Sequence, residues 1–215
     1  MTNGFSGGRS FADSAKEAVV IIFSILVAFS LDAWWEDRKI ESDVRDILLA
    51  VQAETETNLA KLETSSLHRQ QIIDALIVTA QQGSTEGVHT QAVIEIQDFK
   101  PSSGAMDTLM AAGLLGEIDD SQLRLLLGSF HGVVADLDET ESRAAEFREA
   151  ARRRIASNGR IISSLGGASA TTMLADTEML NLLTMRLVEE RSALESATRL
   201  QEHMKDIADN LGKLL

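Results

Sequence analysis

Histidines and carboxylates are the first groups in this chain to weigh for acid–base or metal chemistry, because there is no cysteine. That absence removes thiolate nucleophiles, thiolate metal ligands and disulfides. His68, His89, His131 and His203 are widely separated, and none stands at metal-signature spacing from another histidine or an acid. His131, followed by Gly132, falls on or beside an apolar helix face and reads as a packed or solvent-edge histidine. Two acid clusters could do acid–base work or hold a divalent cation: Glu117, Asp119 and Asp120, and separately Asp136, Asp138, Glu139 and Glu141. Neither follows a calcium-loop pattern. The first matches ordinary capping chemistry at a helix N-terminus, and the second reads as a solvated helix face. Arg152, Arg153 and Arg154 could grip an anion or an acidic partner, but they too read as a solvated face, in turns where cations suit the helix dipole. There is no GxSxG, HExxH or phosphate loop, and Gly113-x-x-Gly116 lacks the preceding strand and the glycine spacing of a nucleotide fingerprint. The sequence therefore predicts no catalytic residue, no metal ligand and no cofactor. An enzyme with an unconventional acid or histidine site has no motif behind it.

The elements that carry these residues are expected to be helices. Aromatics make up 4% of the 215 residues, tyrosine is absent and Pro101 is the only proline. Strand-like alternation is nearly absent and the main helix breaker almost missing. Thirty-three acidic against 20 basic residues give a net charge of -13. Such a surface repels phosphates, which argues against nucleic acid as a partner.

Ala18 to Leu31, AVVIIFSILVAFSL, carries no charge. A helix from residue 15 to about 37 is long enough for a membrane, since 20 residues at ~1.5 Å each span about 30 Å. Trp34 and Trp35 form an aromatic belt at its end, followed at once by Glu36, Asp37, Arg38 and Lys39. Ser24 and Ser30 can bond back to carbonyls of the preceding turn, which makes them tolerable in lipid. Asp32 reads as an interfacial carboxylate beside the tryptophans, with a proton or partner site inside the membrane as the sharper alternative. A cleaved signal peptide, with Ala28-Phe29-Ser30 as a loose cleavage site, and a buried core helix are the competing readings. The cations Arg9 and Lys16 before the span nearly balance Arg38, Lys39 and Arg45 after it, so charge alone does not orient it.

Residues 1–14 read as a short flexible tail, 15–37 as the transmembrane signal-anchor and 38–215 as a helical domain. The fold expected is mainly α: the anchor continues into a membrane-proximal antiparallel bundle with long helices over about 38–82, 120–162 and 176–213. The first stripe includes Ile40, Val44, Leu48, Val51, Leu62, Ile72 and Leu76, and neither Gly nor Pro interrupts the chain between Arg9 and Gly83. Val88 to Phe99 is left open between a strand and a helix. Ser102 or Ser103 is expected to cap a short helix over 105–112 that stops at Gly113. Leu114, Leu115 and Ile118 then make an apolar corner, with Asp119, Asp120 or Ser121 capping the next helix and Arg124 able to pair with Asp120. The last segment carries a heptad in which Leu180, Leu183, Leu187, Leu194, Met204 and Leu211 form a packing or partner face, interrupted by Glu190 and Gln201.

Two stretches together resemble a known family. The first is VVIIFSILVAFSLDAWWEDRK, and the second runs Phe99-x-Pro101, Ala105-x-x-x-Leu109-x-x-x-Gly113-x-Leu115-x-x-Ile118-x-Asp120-x-x-Leu123-Arg124. The pairing resembles an uncharacterised bacterial family of single-pass membrane proteins, a domain of unknown function. In that family an apolar helix ends in a Trp-x-Glu-x-Arg-Lys-like exit and an Ala-x-x-x-Leu-x-x-x-Gly segment follows. The resemblance covers about residues 15–160. It implies a signal-anchor in the bacterial inner membrane with the helical domain outside the cytoplasm, and implies no activity. Few basic residues precede the anchor here, a departure from the family pattern that bears on orientation.

The reading that emerges is a non-enzymatic membrane-anchored scaffold or accessory subunit, touching lipid through the anchor and a protein partner or further copies of itself through helical faces. The alternative is an extracytoplasmic ligand-binding or sensory module that signals through a separate membrane partner.

Overall fold

The computed structural model describes residues 11–82, 98–157 and 177–215. Their regular elements are helices α1 (Phe11–Gln82), α2 (Gly104–Ala111), a 3-10 turn (Leu114–Glu117), α3 (Ser121–Ser157) and α4 (Thr177–Leu214). The class is mainly α, as composition demands, and no strand occurs among the described residues. Most of the stretch left open above, 88–97, lies outside the described residues, as do 158–162 of the third expected helix.

The chain divides into two compact units, residues 1–46 and 47–215, and α1 contributes to both. In the first unit α1 runs unbroken because nothing in its sequence removes an N–H or relaxes the backbone. Its apolar side chains from Val19 to Leu31 are exposed, Phe23 and Phe29 by about two thirds. Ser24 Oγ donates to the Val20 carbonyl and Ser30 Oγ to that of Leu26, both at 2.8 Å, so neither hydroxyl demands a partner from outside the helix.

The second unit is built on seven-residue repeats. On α1 the buried rows are Leu48, Thr55, Leu62, Arg69, Leu76 and Val51, Asn58, Ser65, Ile72. On α3 Leu123, Phe130, Leu137, Ala144 and Ala151 form one buried row, and Leu127, Glu141 and Arg148 lie on the second. On α4 the rows are Leu183, Glu190, Ala197, Met204, Leu211 and Arg186, Ala193, Leu200, Ile207. Two interleaved heptad rows per helix are the pattern of knobs-into-holes packing. The apolar members supply the main driving force, at about 2 kcal/mol for each fully buried aliphatic side chain.

Cross-helix contacts fix the directions. Arg154 meets Glu178 at 3.2 Å, Arg143 meets Glu189 at 3.0 Å, and His203 Nε2 lies 2.9 Å from the Leu126 carbonyl. Descending α4 numbers against rising α3 numbers make that pair antiparallel. Arg69 reaches Glu141 and Glu190, and Ile72 and Leu76 pack in one cluster with Ala151, Met179 and Leu183. Hence α1 and α3 run in the same sense and α4 runs against both.

A strap from Asp98 to Ser103 carries the chain back along α1. The Phe99 N–H is held by Glu141, Ser102 exchanges two bonds with Asn58, and the chain enters α2 against Glu54. Ser103 stands at the N-cap position of α2 but its hydroxyl bonds Asp107 at 2.9 Å and caps no backbone group. The cap comes from another helix: Glu54 takes the Gly104 and Ala105 N–H groups, each at 2.8 Å, and the Ser102 hydroxyl. A carboxylate facing two orphan N–H donors satisfies both and suits the positive helix end. Past Ala112 the chain turns at Gly113, whose φ of 71° is the left-handed conformation that glycine adopts without steric cost. Ile118 is buried, Leu114 and Leu115 are half-buried, and Asp120 caps α3 through the N–H groups of Gln122 and Leu123 at 2.8 and 3.1 Å. The Arg124–Asp120 ion pair expected from spacing does not form. The Arg124 guanidinium turns back to the Ile118 and Asp119 carbonyls, which have no other donor at the bend.

Candidate functional site

Two places stand out, one in each unit. The first is the apolar stretch of α1 with its tryptophan exit. Within Val19–Val78 lies an eighteen-residue window of mean hydropathy 1.8, none of it buried, and no other described helix is long and apolar enough to cross a membrane. Trp34 and Trp35 follow, 52% and 70% exposed, with ring centroids 6.3 Å apart. The Arg38 guanidinium stands over the Trp34 ring, 5.6 Å from its centroid, a cation–π distance. Asp32 and Lys39 are exposed.

The second place is a layer of charge inside the three-helix core. Arg69 of α1, 2% exposed, donates to Glu190 of α4 at 2.9 Å and to Glu141 of α3. Arg186, fully buried one turn before Glu190, meets it at 3.3 Å. Two guanidiniums and two carboxylates balance, which is the condition for burying charge at all. Glu141 also accepts the Phe99 N–H, at 3.2 and 3.1 Å to its two oxygens. Burial pushes its carboxyl from the usual 4.5 up to about 7; Arg69 and the Phe99 N–H pull the other way, and the nearby acids Asp98 and Asp138 add to the rise. Arg148, nearly buried one heptad on, faces Asp98 of the strap at 3.4 Å.

This layer overturns two expectations. Glu141 does not belong to a solvated face: it lies inside, while Asp136, Asp138 and Glu139 of the same run are exposed. Glu190 is not an interruption of the α4 seam but a member of it. The fully buried rows take in Leu183, Met204 and Leu211, while Leu180, Leu187 and Leu194 are half-buried on the flank. The seam is turned toward 186, 193, 200 and 207, where Ala193, Leu200 and Ile207 are buried and the Arg186–Glu190 pair meets Arg69. Arg69, Arg186 and Arg148 were missed because an isolated arginine in an amphipathic helix reads as surface. The heptad phase was the available signal: counting by sevens from Leu62 lands on Arg69, and from Leu183 on Glu190.

The remaining sequence candidates stay apart. His131 is half-exposed and meets Asp107 at 3.1 Å, His68 is half-buried on α1, and His203 braces α4 against α3. Arg152 and Arg153 are exposed, and Arg154 pairs with Glu178. His89 lies outside the described residues. Among the described residues no three His, Asp or Glu side chains converge as a metal site would require. A groove of about 300 Å³ lies between the strap and α3, lined by Phe99, Pro101, Phe130, His131 and Val134 among others. The chain matches no protein-family model, no curated protein and no solved structure.

Proposed function

We propose that this protein is a membrane-anchored helical scaffold or accessory subunit, held in a bacterial inner membrane by α1 and presenting residues 47–215 as a docking body outside the cytoplasm. The observation that carries the reading is the fully exposed apolar run of α1, ending in the tryptophan pair, in a chain whose other described helices bury their apolar rows against one another. An exposed apolar surface of that length has a place in lipid and none in water. The bacterial location and the outward orientation rest on the family resemblance of the Trp34–Lys39 exit and the Ala105–Gly113 segment. A docking role is supported by Met185 and Val188, exposed on α4 beside the half-buried Leu182, and by the self-neutralised charge layer, which fixes helix register and leaves the outer faces to partners.

The test is purification of the tagged full chain from native membranes in mild detergent, with chemical cross-linking and mass spectrometry. The reading expects membrane retention through an alkaline carbonate wash, and a stoichiometric partner or a self-complex cross-linked through α4. Release by carbonate defeats the anchor, and recovery as a monomer without cross-links defeats the scaffold. The groove beside Phe99 and His131 favours a second reading, a ligand-binding module that signals through a separate membrane partner.

A further inference from the structure

Building on the membrane-anchor reading, we propose that the tryptophan-bearing face of α1 just past the apolar run is a binding surface for the phosphate of anionic lipid headgroups. Trp34, Trp35, Arg38, Lys39, Ser42 and Asp43 line one shallow groove. At 3.6 residues per turn these positions share one side of the helix, and 36, 37, 40, 41 and 44 share the other. The groove side carries two cations and one acid; the opposite side carries Glu36, Asp37 and Glu41 and no cation. Within residues 34–44 of a chain of net charge -13 this side is locally cationic, with Asp32 and Asp46 flanking it a turn beyond either end, and it is arranged around two exposed indoles.

The cations are also placed for an incoming anion. Arg38 is engaged by the face of Trp34, which orients the guanidinium without neutralising it, and neither Arg38 nor Lys39 forms an ion pair with a carboxylate among the described residues. The Ser42 hydroxyl lies one turn beyond Arg38 and adds a donor. The groove starts three residues past Leu31, the last residue of the exposed apolar run, which is about 5 Å along the axis. That is where the phosphate of a lipid sits when its chains lie along the run. A planar guanidinium fork, an ammonium and a hydroxyl on one side match a phosphodiester bearing net charge better than a zwitterionic headgroup, whose own ammonium competes for the phosphate.

The chain reports on this surface directly, since Trp34 and Trp35 are its only tryptophans and it has no tyrosine. The experiment reconstitutes the full chain into phosphatidylcholine vesicles. Tryptophan quenching is compared between acyl-brominated phosphatidylglycerol and acyl-brominated phosphatidylcholine at equal mole fraction. The expected result is a relative binding preference of about fivefold or more for the anionic lipid, shrinking with added salt. In Arg38→Gln/Lys39→Gln the preference falls to near unity while quenching by brominated phosphatidylcholine persists. Equal quenching by both lipids in the wild type overturns the proposal and leaves the anchor standing. A preference that survives in the double variant overturns it too. Quenching by neither lipid removes the anchor and this surface together.

Discussion

Replacing Arg69 by methionine is the sharpest probe of how the helices of residues 47–215 are held in register. The side chain is 2% exposed and reaches Glu190 at 2.9 Å and Glu141. Its removal leaves Glu141 with only the Phe99 N–H and Glu190 with only Arg186. Breaking a buried pair by removing one partner costs about 3–5 kcal/mol because the other charge stays buried and uncompensated. Against a total stability of about 5–15 kcal/mol for a domain, that is a large fraction. The cost should depend on pH. Glu141 already binds its proton with a pKa of about 7 in the folded protein, and loss of the arginine raises it further. At pH 8 the Glu141 carboxyl of Arg69→Met must either stay charged without its arginine or take up a proton at a cost, whereas at pH 5.5 it is already neutral and the penalty shrinks toward that of Glu190 alone. The assay is thermal and denaturant unfolding of the full chain in mild detergent, followed by far-UV circular dichroism at both pH values. Adding Glu141→Gln to Arg69→Met should recover a third or more of the loss at pH 8. A loss below about 1 kcal/mol at pH 8, or one equal at the two pH values, refutes the reasoning, since a buried charge cannot be abandoned at no cost.

The wild type carries its own pH signature from the same carboxyl. Its folded pKa of about 7 stands above the usual 4.5, so this group's contribution is fully present below pH 4.5 and is lost as pH rises through about 7. At about 1.4 kcal/mol per pH unit the full swing is roughly 3 kcal/mol, and Glu141→Gln should flatten it in unfolding curves taken from pH 4.5 to 8. Glu54→Ala should cost about 1–2 kcal/mol by uncapping α2, and hydrogen exchange should show the Gly104 and Ala105 amides losing protection first; unchanged exchange there would show that the cap is dispensable. On α4, Leu200→Ala should cost about 2–5 kcal/mol and the flanking Leu187→Ala distinctly less; the reverse order in unfolding midpoints would place the seam on the wrong row.

Helix content, the unbroken passage from the apolar run to Gln82, the stop at Gly113 and the cap at Asp120 were legible in the sequence, because each depends on residues within a turn or two of one another. Glycine's left-handed freedom, an aspartate ahead of a helix and a long stretch without Gly or Pro are local facts. The Ser24 and Ser30 back-bonds were foreseeable for the same reason. What escaped depends on residues far apart in the chain. Nothing near Glu54 shows that it caps a helix fifty residues later, and Ser102 or Ser103 looked like the cap because only neighbours were in view. Arg69 and Glu141 read singly as surface residues and Glu190 as a break in a seam, and they become a core layer only when three helices are superposed in register. The α4 stripe was read from its leucines, and leucines sit on the flank as readily as in the seam, so an apolar count alone could not choose between adjacent rows.

The polar rows of α1 bear on the order in which the chain is made. This helix leaves the ribosome before α3 and α4 exist, with Leu48, Val51, Leu62, Ile72 and Leu76 in search of cover. In-register pairing of two such helices would set one Arg69 against the other and leave Asn58 without the Ser102 backbone groups that satisfy it. The correct cover, which arrives last, brings Glu141 and Glu190. The arginine that is satisfied in the finished core therefore disfavours pairing between half-synthesised chains.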